Sequence, residues 1–223
     1  MPAERDPQAL EILATVGKYL RTLKTFSINV ESTKDEVLEN GQKVQFATSL
    51  VYRVKAPNHL RVDITGERML RHFYINGKTF TQYAPRPNFY ATIDAPGTIK
   101  EVLERAAQKY NVELPLADMF LWGTDIDAAK DIKEASSLGV ERMSGQDCEH
   151  FAYRQEGVDW QLWVRRGAQP LPCKLVITTL TDPSQPQYSS ILKWNTTSAI
   201  ADNVFVFTPP KGAKKIVAKE ATE

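Results

Sequence analysis

Residues 147–179 read DCEHFAYRQEGVDWQLWVRRGAQPLPCKLVITT, and this stretch alternates between apolar and polar side chains. From Val158 to Val164 the alternation has period two, which is typical of a half-buried antiparallel strand. Glu156-Gly157 has the composition of a two-residue hairpin turn, in which glycine supplies a positive φ. The stretch therefore predicts a meander of three antiparallel strands.

One hairpin register satisfies both charge and aromatic pairing within this meander. A turn at Glu156-Gly157 places Arg154 opposite Asp159 and Tyr153 opposite Trp160. The first pair has opposite charges and the second is aromatic, and both kinds of cross-strand pair stabilise a sheet. Because a shift by one residue would move every side chain to the other face, this agreement predicts the register.

The two cysteines lie in the two outer strands of the meander. Cys148 shares a face with His150, whereas regular alternation assigns Cys173 to the face of Leu175 and Ile177. With one strand between them, their Cα atoms would be roughly 10 Å apart, which exceeds the span of a disulfide. The sequence therefore predicts that these two cysteines are not bonded to each other.

Composition argues against several classes of partner. The chain has 28 basic and 27 acidic side chains, so its charges nearly cancel and predict neither a nucleic acid partner nor attraction to an anionic membrane. No apolar run is long enough to cross a bilayer, and residues 1–6 lack the apolar core of a secretion signal. These features predict a soluble protein without a transmembrane segment.

Helical and strand periodicity divide the chain before residue 98. Asp6-Pro7 is a helix start, and the apolar stripe from Ala9 to Leu23 recurs at three- and four-residue steps. Period-two segments then follow from Thr25 onward, and Asn76-Gly77 predicts a hairpin in which Phe73 faces Phe80. Further strands are predicted at residues 26–30, 44–54, 60–64, 69–75, 79–83 and 89–93.

Residues 98–134 interrupt the strand pattern with helical segments. Thr98 and Glu101 form a capping box ahead of an apolar stripe that ends at Tyr110. Pro115 opens a second turn within LPLADMFLW, and residues 127–134 form a third short helix in this prediction. Strands resume near Leu138 and continue to residues 204–207, after which Pro209-Pro210 is expected to end regular structure.

These elements predict an α+β fold with about ten or eleven strands in one unclosed, strongly curved antiparallel β-barrel. The N-terminal helix and the inserted helices cover its concave face in this prediction. Residues 6–210 form a single domain, and residues 211–223 form a mobile charged tail.

Three stretches resemble an uncharacterised family of predicted periplasmic proteins that is similar to the LolA and LolB kind of lipoprotein carrier. They are VDWQLWVRRGAQPLPCKLVITT at 158–179, VELPLADMFLWG at 112–123 and FVFTPPKGAKKI at 205–216. The resemblance implies an open barrel over a hydrophobic cavity, a periplasmic location, and binding of lipids or acylated proteins in the characterised relatives.

No catalytic, metal or cofactor motif is recognisable. His59, His72 and His150 lack metal-ligand spacing, and Ser144 with Asp147 near His150 lacks a nucleophile elbow. Asp118 and Asp159 could serve as a buried acid and a base, although helix capping and cross-strand pairing explain such residues more simply. An enzyme is therefore the weakest of three hypotheses.

The first hypothesis is a non-enzymatic periplasmic carrier of a hydrophobic ligand such as a lipid, an acyl chain or the acyl groups of a lipoprotein. The alternative is an envelope protein-interaction module with a filled barrel. Barrel mouths are common sites of apolar clefts, and the aromatic residues are either cavity lining or plain core. The predicted cavity residues are Phe46, Leu60, Phe73, Phe80, Met119, Phe120, Trp122, Trp160 and Leu162.

Overall fold

The computed structural model describes residues 5–112, 114–116, 129–197 and 199–220. Within these residues the chain forms two α-helices, twelve strands and one 3₁₀ turn. Their bounds are α1 (Pro7–Thr22), β1 (Thr25–Val37), β2 (Lys43–Lys55), β3 (His59–Gly66), β4 (Leu70–Asn76), β5 (Thr79–Ala84), β6 (Phe89–Asp94), α2 (Ile99–Tyr110), β7 (Glu134–Met143), β8 (Gln146–Gln155), β9 (Val158–Arg165), β10 (Pro172–Thr179), β11 (Gln187–Asn195), the 3₁₀ turn (Asp202–Phe205) and β12 (Lys214–Lys215).

All twelve strands belong to one sheet, in the order β12-β6-β5-β4-β3-β2-β1-β11-β10-β9-β8-β7. The consecutive pairs from β3 to β6 and from β7 to β11 are antiparallel, and β12 joins β6 in parallel. The predicted fold class is confirmed: an α+β chain with one large, unclosed, mostly antiparallel sheet, an N-terminal helix and a second helix.

The chain divides into two compact units, and β1, β2 and β11 contribute to both of them. The first unit contains Met1–Thr22, Val30–Thr48 and Leu121–Lys193. The second contains Leu23–Asn29, Ser49–Phe120 and Trp194–Glu223. The single domain over residues 6–210 stays a prediction.

In the first unit, α1 begins as its sequence predicts. The Asp6 carboxylate accepts a hydrogen bond from the backbone N–H of Gln8 at 2.9 Å and another from that of Ser137 at 3.0 Å. The helix buries Ala9, Leu13 and Val16. Asp6 therefore caps the helix and also holds it to β7.

The hairpin of β8 and β9 has the predicted register. The Arg154 guanidinium donates two hydrogen bonds to Asp159, at 2.8 and 2.7 Å. The rings of Tyr153 and Trp160 stack with centroids 4.0 Å apart, and Gly157 has a φ of 70°. The predicted pairs, turn and meander are therefore confirmed.

The predicted separation of the two cysteines is wrong, because Cys148 and Cys173 form a disulfide with Cα atoms 6.8 Å apart. Pro172 pairs with Val164 and Lys174 pairs with Trp163, so Cys173 is an extra residue at a bulge. A bulge bends its strand and re-aims a side chain. Regular alternation therefore assigned Cys173 to the wrong face, and the ordinary spacing across β9 does not hold there.

The disulfide lies in a small buried cluster with the ring of Trp163 and the side chain of Val176. Because Leu162 and Val164 are also buried, the end of β9 is buried on both faces. The expectation of a half-buried strand therefore holds only for its beginning.

Three sequence predictions differ from the structure near element ends. Residues 204–207 are not a strand, since Asp202–Phe205 is a 3₁₀ turn that buries Phe205. Regular structure also continues past Pro209-Pro210, because Lys214 and Lys215 pair with Phe89 and Tyr90. At the other end of the inserted segment, β7 begins at Glu134 instead of near Leu138. The predicted helix at 127–134 is wrong over its described part, because residues 129–131 form a turn and Glu134 already belongs to β7. Most of the predicted helical turn after Pro115 lies outside the described residues.

Candidate functional site

In the second unit, six apolar side chains of β3, β4 and β5 lie on one side of the sheet, and we call this set the apolar face. Leu60 pairs with Ile75, and Ile75 pairs with Phe80, so these three side chains form a row across the strands. Every member is buried, and none can donate or accept a hydrogen bond with its side chain. The apolar face consists of Leu60, Val62, Ile64, Phe73, Ile75 and Phe80.

The register of the Asn76-Gly77 hairpin differs from the prediction by two residues. Phe73 pairs with Gln82, while Phe80 pairs with Ile75. The reason is that Asn76 occupies the first turn position, where its side-chain oxygen accepts hydrogen bonds from the N–H groups of Lys78 and Thr79. A two-residue shift keeps each side chain on its face. Phe73 and Phe80 therefore still stack diagonally, with centroids 6.1 Å apart.

Helix α2 follows β6 and supplies further apolar surface to the same unit; we call residues 98–122, which include it, the cover segment. Thr98 and Glu101 form the predicted capping box, and α2 buries Ile99, Val102, Leu103 and Ala106. This confirms the first predicted helix of the insertion and its apolar stripe.

Past α2, the described part of the cover segment reaches the sheet at Tyr52. The Tyr52 hydroxyl donates a hydrogen bond to the carbonyl oxygen of Pro115. Arg53, the next residue, contacts Asp63 on the opposite face, so period-two alternation puts Tyr52 on the side of the apolar face. Leu114 and Leu116 on either side of Pro115 are buried.

The predicted cavity residues divide into three groups. Leu60, Phe73 and Phe80 come together on the apolar face of the second unit. Phe46, Trp160 and Leu162 belong to the first unit, in which Leu162 is buried and the other two are half-buried. Met119, Phe120 and Trp122 lie outside the described residues.

The opposite face of β3 and β4 carries a cluster of charges that the sequence analysis missed. The Asp63 carboxylate contacts Arg53 Nη1 at 2.6 Å, Arg61 Nε at 3.0 Å and His72 Nδ1 at 2.6 Å. Burial raises the pKa of Asp63, but the hydrogen bond with His72 and the charge of Arg61 together hold this pKa below its usual range. The alternation of Arg61 and Asp63 with apolar residues was the available sequence signal.

Beside this cluster, Phe207 packs among three tyrosines. Its ring centroid lies 5.3 Å from those of Tyr74 and Tyr83 and 5.1 Å from that of Tyr90. The Arg61 guanidinium lies 5.0 Å from the Tyr74 ring centroid, within cation–π range. On this face of the second unit, aromatic contacts therefore hold Phe207 of the C-terminal segment against β4, β5 and β6.

Replacing Asp63 with asparagine is expected to flatten the acid side of the stability profile. Since the folded-state pKa lies below the unfolded one, ionised Asp63 contributes stability above about pH 4 and loses it as the pH falls through the lowered value. Thermal unfolding of both proteins across this range should show a difference that shrinks with acidification. The exposed Asp94→Asn serves as the control, and a difference that does not vary with pH would contradict the assignment.

Two further candidates for chemistry, His150 and Asp159, have structural partners. His150 Nε2 lies 2.9 Å from Gln161 Oε1, and its ring stacks on Trp163 at 3.8 Å. Asp159 pairs with Arg154, as described, and Asp118 lies outside the described residues. Within the parts of the chain that are described, no helix is both long and apolar enough to cross a membrane.

Comparison with solved structures shows the same fold in another protein. An uncharacterised conserved protein from Thermus thermophilus is 14% identical, with a TM-score of 0.51, over 94% of this chain and 99% of that chain. The lipoprotein LppX of Mycobacterium tuberculosis is 9% identical with a TM-score of 0.48, over 88% of this chain and 100% of that chain. A LolA superfamily protein from Nitrosomonas europaea is 11% identical with a TM-score of 0.38, over 89% and 97% respectively.

Sequence comparison identifies the family. No curated protein is significantly similar to this chain. However, the model of the DUF2092 family, described as predicted periplasmic protein, matches residues 9–218, which is nearly the whole chain. The resemblance inferred from the three sequence stretches is thus confirmed at the family level, and this chain belongs to the DUF2092 family of predicted periplasmic proteins.

Proposed function

We propose that this protein is a non-enzymatic periplasmic carrier that binds a lipid or an acyl chain between the apolar face and the cover segment. The observation that carries the proposal is the composition of this region. Six buried hydrocarbon side chains on three strands share a unit with the apolar stripe of α2 and with Leu114 and Leu116. Such a surface can recognise hydrocarbon without a specific polar contact.

The way in which the cover segment is attached supports an opening motion. It enters after Gly97, whose φ is 126°, and its described hydrogen bonds to the rest of the unit include Ile99 N to Pro57 O and Tyr52 to Pro115 O. Neither of these belongs to a strand pairing. Displacing the cover segment would therefore leave the sheet intact, as ligand-gating segments do in other proteins.

Leu116 adds a second reason to expect movement at this place. Its φ is 59°, a left-handed conformation that costs a residue with a branched side chain free energy. A buried leucine in this conformation is held there by its surroundings. Rearrangement of the cover segment would release that strain.

The free energy available from a hydrocarbon ligand is sufficient for useful affinity. Burial of each methylene group contributes roughly 0.8 kcal/mol. A long acyl chain could therefore offset the cost of ordering itself and of moving the cover segment.

Leu116→Asp is expected to weaken the binding of a fluorescent fatty-acid probe by at least about tenfold, since it places a carboxylate at a buried position of the cover segment, next to Pro115. Aspartate tolerates a left-handed conformation better than leucine, so the fold should persist, as circular dichroism would verify. Phe120→Asp, chosen from the apolar sequence of the cover segment, should act in the same way. Leu138→Asp is the matched control, because Leu138 is 55% exposed in β7. Equal probe affinity in all four proteins would refute the carrier.

The alternative is an interaction module whose interior is filled. It is favoured by the complete burial of Leu60, Val62 and Ile75, which is also what a solid core requires. Native mass spectrometry of protein purified from its own cell envelope separates the two functions. A co-purifying lipid mass supports the carrier, and a clean unliganded mass supports the module.

A further inference from the structure

The C-terminal segment runs along the edge of the sheet beside β6, and we call residues 211–219 the strap. The N–H of Lys214 donates to Asn88 O at 2.9 Å, and the N–H of Ile216 donates to Tyr90 O at 2.8 Å. These bonds make β12 the outermost strand beside β6. The strap is therefore part of the folded surface.

The strap concentrates positive charge. Its sequence, KGAKKIVAK, contains four lysines and no acidic residue, and all four lysines are exposed. The following acid, Glu220, pairs with Lys109 at 3.7 Å. The near-zero net charge of the whole chain, which argued against an anionic membrane partner, is an average that conceals this local cluster.

Exposed apolar side chains lie among these lysines. Val217 is 86% exposed and Ile216 is 47% exposed, while Phe89, the strand partner of Lys214, is 38% exposed. Hydrocarbon in this amount is unfavourable in water. Apolar groups surrounded by ammonium groups are the pattern that enters the boundary between headgroups and acyl chains of an anionic bilayer.

The surface around the start of β6 has the same character. Arg86 is exposed and donates hydrogen bonds to the carbonyl oxygens of Gly66 and Glu67, at 3.1 and 2.6 Å. Met69, at the end of the turn between β3 and β4 that contains Gly66 and Glu67, is 47% exposed. Arg86 thus adds one cation two residues before Asn88, to which the strap is bonded, and Met69 adds one exposed apolar side chain. In the turn itself the exposed Glu67 is next to the exposed Arg68, so their charges cancel.

We propose that the strap is a docking site for an anionic lipid surface, with the lysines facing the headgroup phosphates and with Ile216 and Val217 entering the interface. Lysine supplies point charges suited to many phosphates at once, in contrast to the bidentate geometry that arginine provides for a single one. The strap also lacks the aromatic series on which nucleic acid bases stack. This inference goes beyond ligand binding and does not depend on it.

The test is flotation of the full chain with vesicles of phosphatidylcholine alone or mixed with phosphatidylglycerol. We expect flotation only with the mixed vesicles and a decrease when salt is added, because salt screens exposed charges. Lys214→Gln with Lys215→Gln should lower the partition coefficient on the order of 30-fold, at about 1 kcal/mol per lysine. Ile216→Ser with Val217→Ser should lower it as well, without reducing its salt dependence.

Lys18→Gln with Lys24→Gln is the matched control, because both lysines are exposed and the net charge changes by the same amount. This variant should float like the wild type. Equal losses in the control and in the strap variant would show that only net charge matters and would overturn the proposal. Absence of flotation with both vesicles would also overturn it and would assign the strap to a protein partner. Binding of the fluorescent fatty-acid probe to the strap variants tests the proposed carrier function separately from docking to a lipid surface.

Discussion

Replacing both Cys148 and Cys173 with serine is expected to lower the free energy of unfolding by about 3 kcal/mol. The disulfide closes a loop with a sequence separation of 25 residues, and such a crosslink reduces the conformational entropy of the unfolded chain. It also joins β8 to β10 across β9 within the cluster of Trp163 and Val176. Urea unfolding of the oxidised wild type and of the double variant measures the difference.

Reductant provides the control for this prediction. It should destabilise the wild type by a similar amount and leave the double variant unchanged, because serine cannot form the bond. Thiol titration of unfolded, unreduced protein should find no free thiol. Two titratable thiols, or equal stability with and without reductant, would contradict the crosslink.

Phe205→Ala is expected to cost about 3–5 kcal/mol, the usual range for removing a buried aromatic ring. Phe205 is fully buried, and its ring packs edge-on against His59 at 5.3 Å. The preceding carbonyl, that of Val204, accepts a hydrogen bond from Arg61 at 3.4 Å. Removing the ring would therefore leave a cavity at the place where the 3₁₀ turn anchors the C-terminal segment to β3.

Val206→Ala is the neighbouring control, since Val206 is 54% exposed and surface substitutions usually change stability by less than about 0.5 kcal/mol. Urea midpoints of the two variants should differ clearly. Similar small losses in both would mean that the C-terminal segment does not depend on Phe205. The flotation experiment on Phe205→Ala would further show whether the strap needs this anchor, because the strap follows the turn closely in the chain.

The features predicted correctly from sequence depend on interactions between near neighbours. The register of Arg154 with Asp159 follows from a turn only two residues long, so alternation, charge and glycine all act over the same few residues. The capping box at Thr98 and Glu101 is local in the same way. Agreement of several local signals was sufficient for these elements.

The candidate site was predictable in part. Leu60, Phe73 and Phe80 share one face because they alternate with polar residues in adjoining strands. Their predicted pairing was wrong because the Asn76 side chain accepts hydrogen bonds from the backbone of the turn. Asn76 is therefore the first residue of the turn, and the centre of the turn lies one residue later in the chain than predicted. The side chain's hydrogen bonds are not visible in a pattern of apolar residues.

The amino-acid sequence by itself determined the antiparallel meander, the two capped helices, the apolar face and the family, since each depends on periodicity, capping or turn chemistry within a short span. Only the tertiary structure decided the Cys148–Cys173 bond, the ion cluster at Asp63 and the return of residues 205–215 to β3, β4 and β6. The physical reason is distance along the chain. A bulge breaks the alternation that sequence reasoning assumes, and Phe207 reaches its tyrosine partners only after the sheet has brought strands from β4 to β6 together.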